Sequence, residues 1–326
     1  MSRRVGELTA VVLAGGLAYE REVSLHSGRR VCEALKQAGV AVRMLDPDGE
    51  LLAGLAVDRP DAVFIALHGA DGEDGALRSV LDLADVPYVG SDAAACRMAW
   101  DKPTAKAIVH AAGLTTPAWV ALPHSTFREL GAAVVLDRIV ERFGLPLMVK
   151  PAQGGSALGA RVIRSAAELP AAMVSCLSYG DTVLLEPYVE GVEVSVSVVD
   201  LGAGPVALPA VEIVPTSGVF DYAARYTPGA TEYFAPARLG ADLTAAGDEA
   251  ARRTFEAVGV RDVARADLIV DAAGTAWVID LNISPGMTDT SLLPMSAAAV
   301  GISFDELCER VLRAALARSG AVANRG

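Results

Sequence analysis

The side chains best suited to chemistry cluster between residues 265 and 292. There the chain reads Arg265-Ala-Asp267-Leu, and later Asp280-Leu-Asn282-Ile-Ser-Pro-Gly286. Two apolar stretches flank Asp271-Ala-Ala-Gly274, a turn sequence that joins strands into a hairpin. Strand side chains alternate between faces. Arg265 and Asp267 therefore share one face, and Asp280 and Asn282 share one face of the return strand. Ala266, Leu268, Val278 and Leu281 are left for a core. Carboxylates in an apolar setting need a cation or hydrogen bonds. Hard oxygen donors with phosphate nearby suit Mg²⁺ or Mn²⁺. On the hairpin alone, a polar face turned to solvent fits these residues equally well.

Four other segments carry candidate chemistry. Gly154-Gly-Ser156-Ala-Leu-Gly159 can cradle phosphates with backbone N–H groups. It is neither a Walker sequence nor a dinucleotide fingerprint, and a flexible hairpin explains it as well. Lys150, leaving a strand beside this loop, and Lys102 are candidate phosphate partners, with surface lysine as the alternative for Lys102. Glu186 and Glu193 flank Pro187-Tyr188-Val189. A hinge backbone can bind adenine edges, and a carboxylate can accept two ribose hydroxyls, although exposed glutamates would read the same way. Glu20 lies between a strand end and a helix start, where it can favour the helix N-terminus or receive a substrate ammonium. His68 reads either as a buried, hydrogen-bonded histidine or as a catalytic one.

Alternating elements must position these groups. Leu8–Ala14, Val40–Leu45, Ala62–Leu67 and Pro87–Gly90 read as strands, with helices over Ser24–Ala38 and Ala76–Ala84. In open parallel sheets, ligands sit beyond the carboxyl ends of the strands, where Gly15-Gly16 and His68-Gly69 fall. A second unit starts near Lys102 with a helix to Ala112. It continues through strands at Trp119–Leu122, Leu147–Lys150 and Thr182–Val189, with a helix around Phe127–Phe143. The third unit has strands at Val192–Val199 and Val206–Val214, helices at Leu243–Val258 and Ser303–Leu316, and the hairpin. Residues 215 to 238 lack periodicity but hold Tyr222, Tyr226, Tyr233 and Phe234, the composition of a lid rather than of a disordered loop.

The chain has 326 residues, 52% of them hydrophobic, with 28 basic and 40 acidic side chains for a net charge of -12. That length supplies two or three cores. The acidic balance argues against nucleic acid or an anionic membrane as partner. Cys32, Cys96, Cys176 and Cys308 have no metal or redox spacing and read as core thiols of a reducing compartment. The charged start shows no signal peptide, and no stretch is long and apolar enough to cross a membrane. A cytoplasmic location is expected.

Taken together, the motifs resemble D-alanine–D-alanine ligases of the ATP-grasp superfamily. The resemblance runs through Gly15-Gly-Leu-Ala-Tyr-Glu20-Arg-Glu-Val-Ser-Leu25, Leu67-His-Gly-Ala-Asp-Gly-Glu-Asp-Gly75, Pro87-Tyr-Val-Gly-Ser91 and Asp101-Lys102. It continues through Val149-Lys-Pro151, Phe220-Asp-Tyr-Ala-Ala-Arg-Tyr226 and Asn282-Ile-Ser-Pro-Gly-Met-Thr288. It implies an ATP-grasp fold of mixed α/β and α+β class: an N-terminal Rossmann-like parallel sheet (1–98), then two α+β subdomains clamping ATP (99–187 and 188–326). It implies Lys102 and Lys150 as phosphate lysines. It implies Glu186 and the backbone of Tyr188 and Val189 at adenine, Glu193 at ribose, and Asp267, Asp280 and Asn282 as ligands of two Mg²⁺ or Mn²⁺ ions. Glu20, Ser156 and Tyr226 become a hydrogen-bonded trio at the first D-alanine, and Arg265 and the Gly286 N–H stabilise an oxyanion. His68, Arg225, Ser291 and Leu292 fall at substrate, and a homodimer is expected.

The implied reaction activates one D-alanine carboxylate as an acyl phosphate, which the second D-alanine's amine attacks, for peptidoglycan precursors. The family's usual metal-site Glu is Asp280 here, the usual lid Lys is Arg225, and Gly154 and Ala157 replace Glu and Ser. These changes motivate two other readings: a ligase for a different amino-acid pair in specialised biosynthesis, or a nucleotide-binding protein without turnover.

Overall fold

The computed structural model describes residues 8–323; the charged start at 1–7 and the last residues, 324–326, lie outside them. The first sheet holds β1 (Thr9–Leu13), β2 (Ala41–Leu45) and β3 (Ala62–Ile65), parallel, in the order β2-β1-β3. Val11, Val12 and Leu13 of the central strand are fully buried, as both faces are covered. One cover is the Arg21–Gln37 helix. The other on that side comes from the far end of the chain, where the Phe304–Ala323 helix seats Leu307, Val311 and Leu312 in the same core. The expected fourth strand at Pro87–Gly90 is only a single parallel bridge between Val63 and Tyr88. Pro87 has no N–H to continue the ladder, and Gly90 turns away at φ +102.

The second sheet is antiparallel: β4 (Val120–Pro123), β5 (Leu147–Pro151), β6 (Arg161–Ile163) and β7 (Thr182–Pro187), in the order β4-β7-β5-β6. Leu147, Val149, Val183 and Leu185 face its helices. Met148 pairs with Glu186 and Lys150 with Leu184, so Lys150 and Glu186 are diagonal neighbours on the opposite face. The single helix expected around 127–143 is two, His124–Leu130 and Ala132–Phe143. Gly131 between them is at φ +86, which a right-handed helix cannot pass through.

The third sheet holds β8 (Val192–Asp200), β9 (Pro205–Ala207), β10 (Val211–Pro215), β11 (Thr231–Phe234), β12 (Val263–Val270) and β13 (Ala276–Asn282). Its order is β11-β10-β8-β12-β13, with β9 beside β8. The strand expected over 206–214 is interrupted at Pro209, which has no ladder donor. The Ala241–Val258 helix buries Ala251, Phe255 and Val258 against Val196, Ala266 and Leu268. The Ala93–Trp100 and Lys102–Ala111 helices join this same core through Cys96, Ala99 and Val109. The expected unit 99–187 thus begins with a helix whose apolar face lies in the third core.

Residues 215–238 are ordered by two short elements that periodicity cannot register. Asp221 accepts from the Ala224 N–H at 2.9 Å and caps the Tyr222–Tyr226 turn of helix. β11 then extends the sheet along β10. Phe220 and Tyr233 meet edge to face at 6.2 Å. Among the described residues, no helix is long and apolar enough to cross a membrane.

Candidate active site

The second and third sheets, with loops and a helix of the first unit, line one cavity of about 210 Å³. On its floor lies the β12–β13 hairpin. Arg265 pairs with Asn282 and Asp267 with Asp280, so the four polar residues share the cavity face. A bulge between Asp267 and Leu268 shifts the register, so Ile279 and Asp280 both line the cavity while Val278 and Leu281 stay in the core. Asp267 accepts Arg265 Nε at 2.8 Å, Arg265 Nη2 at 2.9 Å and Ser195 Oγ at 2.9 Å. Burial alone would push the Asp267 carboxyl up, but the Arg265 charge and hydrogen bonds hold it below the usual range. Asn282 Oδ1 accepts the Ser284 N–H at 2.9 Å.

This donor set fits a hard divalent cation: two carboxylates and an amide oxygen on one face, one carboxylate neutralised by Arg265. Among the described residues, no group of three or more His, Cys, Asp and Glu side chains is placed to hold a metal. A cation here must draw further oxygens from phosphate and water, as Mg²⁺ sites do.

The wall opposite carries three buried charges. Lys150 Nζ lies 2.6 Å from Glu186 Oε1, and Lys106 Nζ lies 2.7 Å from Glu186 Oε2. Burial opposes the Glu186 charge, but the two ammonium groups outweigh it and keep its pKa low. Burial pulls Lys106 down to about 8, against the pull of Glu186. Lys102 donates to the Gly154 carbonyl at 2.6 Å, tying its helix to the glycine-rich loop. In that loop Ser156 and Ala157 both sit at φ +55, left-handed positions that non-glycine residues occupy at a cost and that mark functional loops. The Tyr188 N–H already donates to the Pro146 carbonyl at 3.0 Å. That leaves the Tyr188 carbonyl and the Val189 N–H as hinge groups for a ligand. Glu193 lines the cavity mouth, and burial pushes its carboxyl up to about 7.

Loops at the carboxyl ends of the first sheet close one side. His68 bonds the Ser284 carbonyl through Nδ1 at 3.1 Å and Ser27 Oγ through Nε2 at 3.0 Å, and Ser27 Oγ accepts the Met287 N–H at 3.2 Å. Burial drops His68 to about 4, so it is neutral and joins the first unit to the loop after β13. Glu20 is buried against Gly69 and Gly155, where an added Cβ would stand 2.4 and 3.2 Å from its oxygens. Ser156 and Tyr226 hydroxyls meet at 2.9 Å across the cavity mouth. No Glu20–Ser156 bond accompanies that contact among the described hydrogen bonds, so the structure joins two members of the expected trio and places the third beside the same loop. Arg225 stacks over Phe220 at 4.1 Å and lines the cavity.

Ser291 and Leu292 stand behind this surface. Ser291 Oγ accepts the Thr288 N–H at 2.9 Å and would lie 2.5 Å from a Cβ at position 286, which explains the glycine there. Leu292 was expected at substrate; its side chain instead packs with Val211, Phe220 and Ala224, so only its backbone can meet a ligand. Lys106, Glu73 and Ser195 went unassigned in the sequence. Lys106 was accessible through its helical spacing from Lys102. Glu73 lines the cavity and burial raises it to about 7. The cysteines are all free and buried, and burial pushes Cys32 and Cys96 up to about 11, which removes them as nucleophiles.

A glycine-rich loop, a lid and an acidic hairpin closing on one cleft define an ATP-grasp ligase. The model of the D-Ala–D-Ala ligase C-terminus matches residues 108–313, and that of the N-terminus matches residues 53–91. A D-alanine–D-alanine ligase of Anaeromyxobacter sp. (strain K) is 42% identical over 96% of this chain and 98% of its own. That of Gloeobacter violaceus is 42% identical over 92% of this chain and 97% of its own. The D-alanine–D-alanine ligase of Bacillus anthracis superposes with a TM-score of 0.82 at 28% identity, covering 97% of this chain and 99% of that one. A D-Ala:D-Ser ligase of Enterococcus faecalis does so at 0.81 and 25% identity, covering 95% and 99%. The chain belongs to the D-alanine–D-alanine ligase family.

Proposed function

We propose that this protein joins two D-alanine molecules at the expense of ATP, giving D-alanyl-D-alanine, ADP and phosphate for peptidoglycan precursors. The observation that carries the reading is convergence. Lys102, Lys150, Arg265, Asp267 and Asp280, from separate stretches of sequence, face one cavity beneath a lid fastened by Ser156 and Tyr226.

On this reading Glu186 and the hinge at Tyr188 and Val189 take adenine, Glu193 takes ribose, and Lys102 and Lys150 take phosphate oxygens. Asp267, Asp280 and Asn282 would hold two Mg²⁺ or Mn²⁺ ions, which supply charge neutralisation on the phosphates when bound. Glu20 receives the first D-alanine's ammonium and orients its carboxylate toward the γ-phosphate. That carboxylate attacks phosphorus and ADP leaves. Ser291 and the Leu292 backbone hold the second carboxylate, with Arg225 closing over it. The second amine attacks the acyl carbon, and phosphate departs. Arg265 uses Nε and Nη2 on Asp267, which leaves Nη1 for the tetrahedral oxyanion, together with the Gly286 N–H. Loss of one such donor typically costs ~3 kcal/mol of barrier. The closed lid keeps water from the acyl phosphate. The same reading puts the enzyme in the cytoplasm, as a homodimer.

The test is ADP and phosphate release with ATP, Mg²⁺ and D-alanine, with the product weighed by mass spectrometry. D-alanine-dependent release with a dipeptide mass supports the reading. ATP binding without turnover on D-alanine, but with turnover on another amino acid, replaces the substrate.

A further inference from the structure

We infer that Lys106 is a positioning residue: by neutralising Glu186 from behind, it leaves the Lys150 ammonium for the phosphates of the nucleotide. The inference rests on the ATP reading of the cavity and adds a residue that never touches the ligand.

The geometry separates the two lysines. Lys150 lines the main cavity, whereas Lys106 lies behind it, against a small void beside Thr116 and Val278. The Lys106 ammonium is spent on protein groups. It meets Glu186 Oε2 at 2.7 Å, donates to Thr116 Oγ1 at 2.7 Å and lies over the Trp119 ring at 5.3 Å. Thr116 is itself fixed, donating to the Val278 carbonyl at 2.8 Å. Lys106 therefore lacks the access to reach a nucleotide: it does not line the main cavity, and its third N–H is left among buried protein groups that include the Trp119 ring. Lys150 is different. It bonds Glu186 Oε1 at 2.6 Å and the Ile279 carbonyl at 3.2 Å, and an ammonium has three donors. One remains on the cavity side.

The charge balance gives Lys106 its purpose. Lys150 and Glu186 alone would be a neutral pair, and a phosphate would find no net charge on that wall. With Lys106 present the triad carries one excess positive charge. Buried and met only in part, by the more distant Asp280, that charge is unfavourable. An arriving phosphate relieves it. The next charges, Asp280 and Asp267, belong to the hairpin that Lys150 touches at the Ile279 carbonyl, and both draw on the lysine; Arg265 neutralises Asp267, and a bound cation would offset Asp280.

The test separates charge from packing. Full-length wild type, Lys106→Met and the double variant Lys106→Met with Glu186→Gln are titrated by calorimetry with adenosine and with ATP plus Mg²⁺. The readout is the ratio of the two affinities. Lys106→Met is expected to lower the preference for ATP over adenosine about 10- to 100-fold. The double variant restores the excess charge and should return the ratio to within about threefold of wild type. Equal weakening of both ligands in Lys106→Met, or no weakening of either, overturns the inference. Should that variant not fold, a ratio in the double variant collapsed toward adenosine overturns it as well. Wild type that binds no ATP would instead refute the nucleotide reading itself.

Discussion

Asp267 and Asp280 stand directly opposite each other on β12 and β13, Cα partners in one antiparallel ladder. Like charges in that position repel. Arg265 satisfies Asp267 with two hydrogen bonds, and Asp280 faces the cavity. The pair is thus held by a fixed cation on one side, and the proposed metal ions would supply the charge on the other.

Asp267→Asn should lower turnover sharply at limiting Mg²⁺. It should also destabilise the protein by about 3 kcal/mol, because Arg265 keeps its buried charge and loses its carboxylate. Steady-state rates across a Mg²⁺ series and calorimetric unfolding check the two effects. Near wild-type turnover at limiting Mg²⁺ would remove Asp267 from the metal reading.

The Ser156–Tyr226 contact ties the lid to the glycine-rich loop. Tyr226→Phe removes one hydrogen bond, worth about 1 kcal/mol. The expected result is a several-fold fall in kcat/KM for D-alanine, with phosphate released in excess of dipeptide as water reaches the acyl phosphate. Unchanged stoichiometry would mean that this bond does not guard the intermediate.

Glu73 gives a pH signature. Its folded pKa is raised from 4.5 to about 7, chiefly by burial, so the folded state binds more protons than the unfolded state across that window. Stability from this group falls as pH rises from 4.5 to 7. Glu73→Gln keeps the oxygen that accepts the Gly69 N–H and removes the penalty. Its unfolding midpoint without nucleotide should match wild type near pH 4.5 and exceed it at pH 8. His68 acts with the opposite sign. Its folded pKa is depressed from 6.5 to about 4, so its contribution is full above 6.5 and is lost as pH falls toward 4.

Gly191 marks the passage from the second sheet to the third. A Cβ there would lie 2.3 Å from the Val270 carbonyl oxygen, a backbone atom that cannot turn aside. Gly191→Ala should cost about 3 kcal/mol of stability, seen as a fall of several degrees in the calorimetric Tm. An unchanged Tm would show that the hinge backbone relaxes freely.

The three strands of the first sheet, the acidic hairpin and the helix that starts at Lys102 were legible because each is a local pattern. A run of apolar residues, a turn sequence or a helix start announces itself within a dozen positions. The break at Gly131 was visible only as a glycine, since its φ is set by how the two helices must pack. The lid's turn of helix and β11 are too short to show a period. The bulge after Asp267, which turns Ile279 toward the cavity, leaves no mark in composition.

By itself the sequence determined which residue types were available, the order of alternating elements and, through the ordered motifs, the family. Tertiary structure decided which of these groups share charge. Lys106 meets Glu186 across 80 positions of sequence, and the Phe304–Ala323 helix returns to cover β1. Such pairings depend on the packing of whole layers and on the cost of burying unpaired charge, which no local window of residues contains.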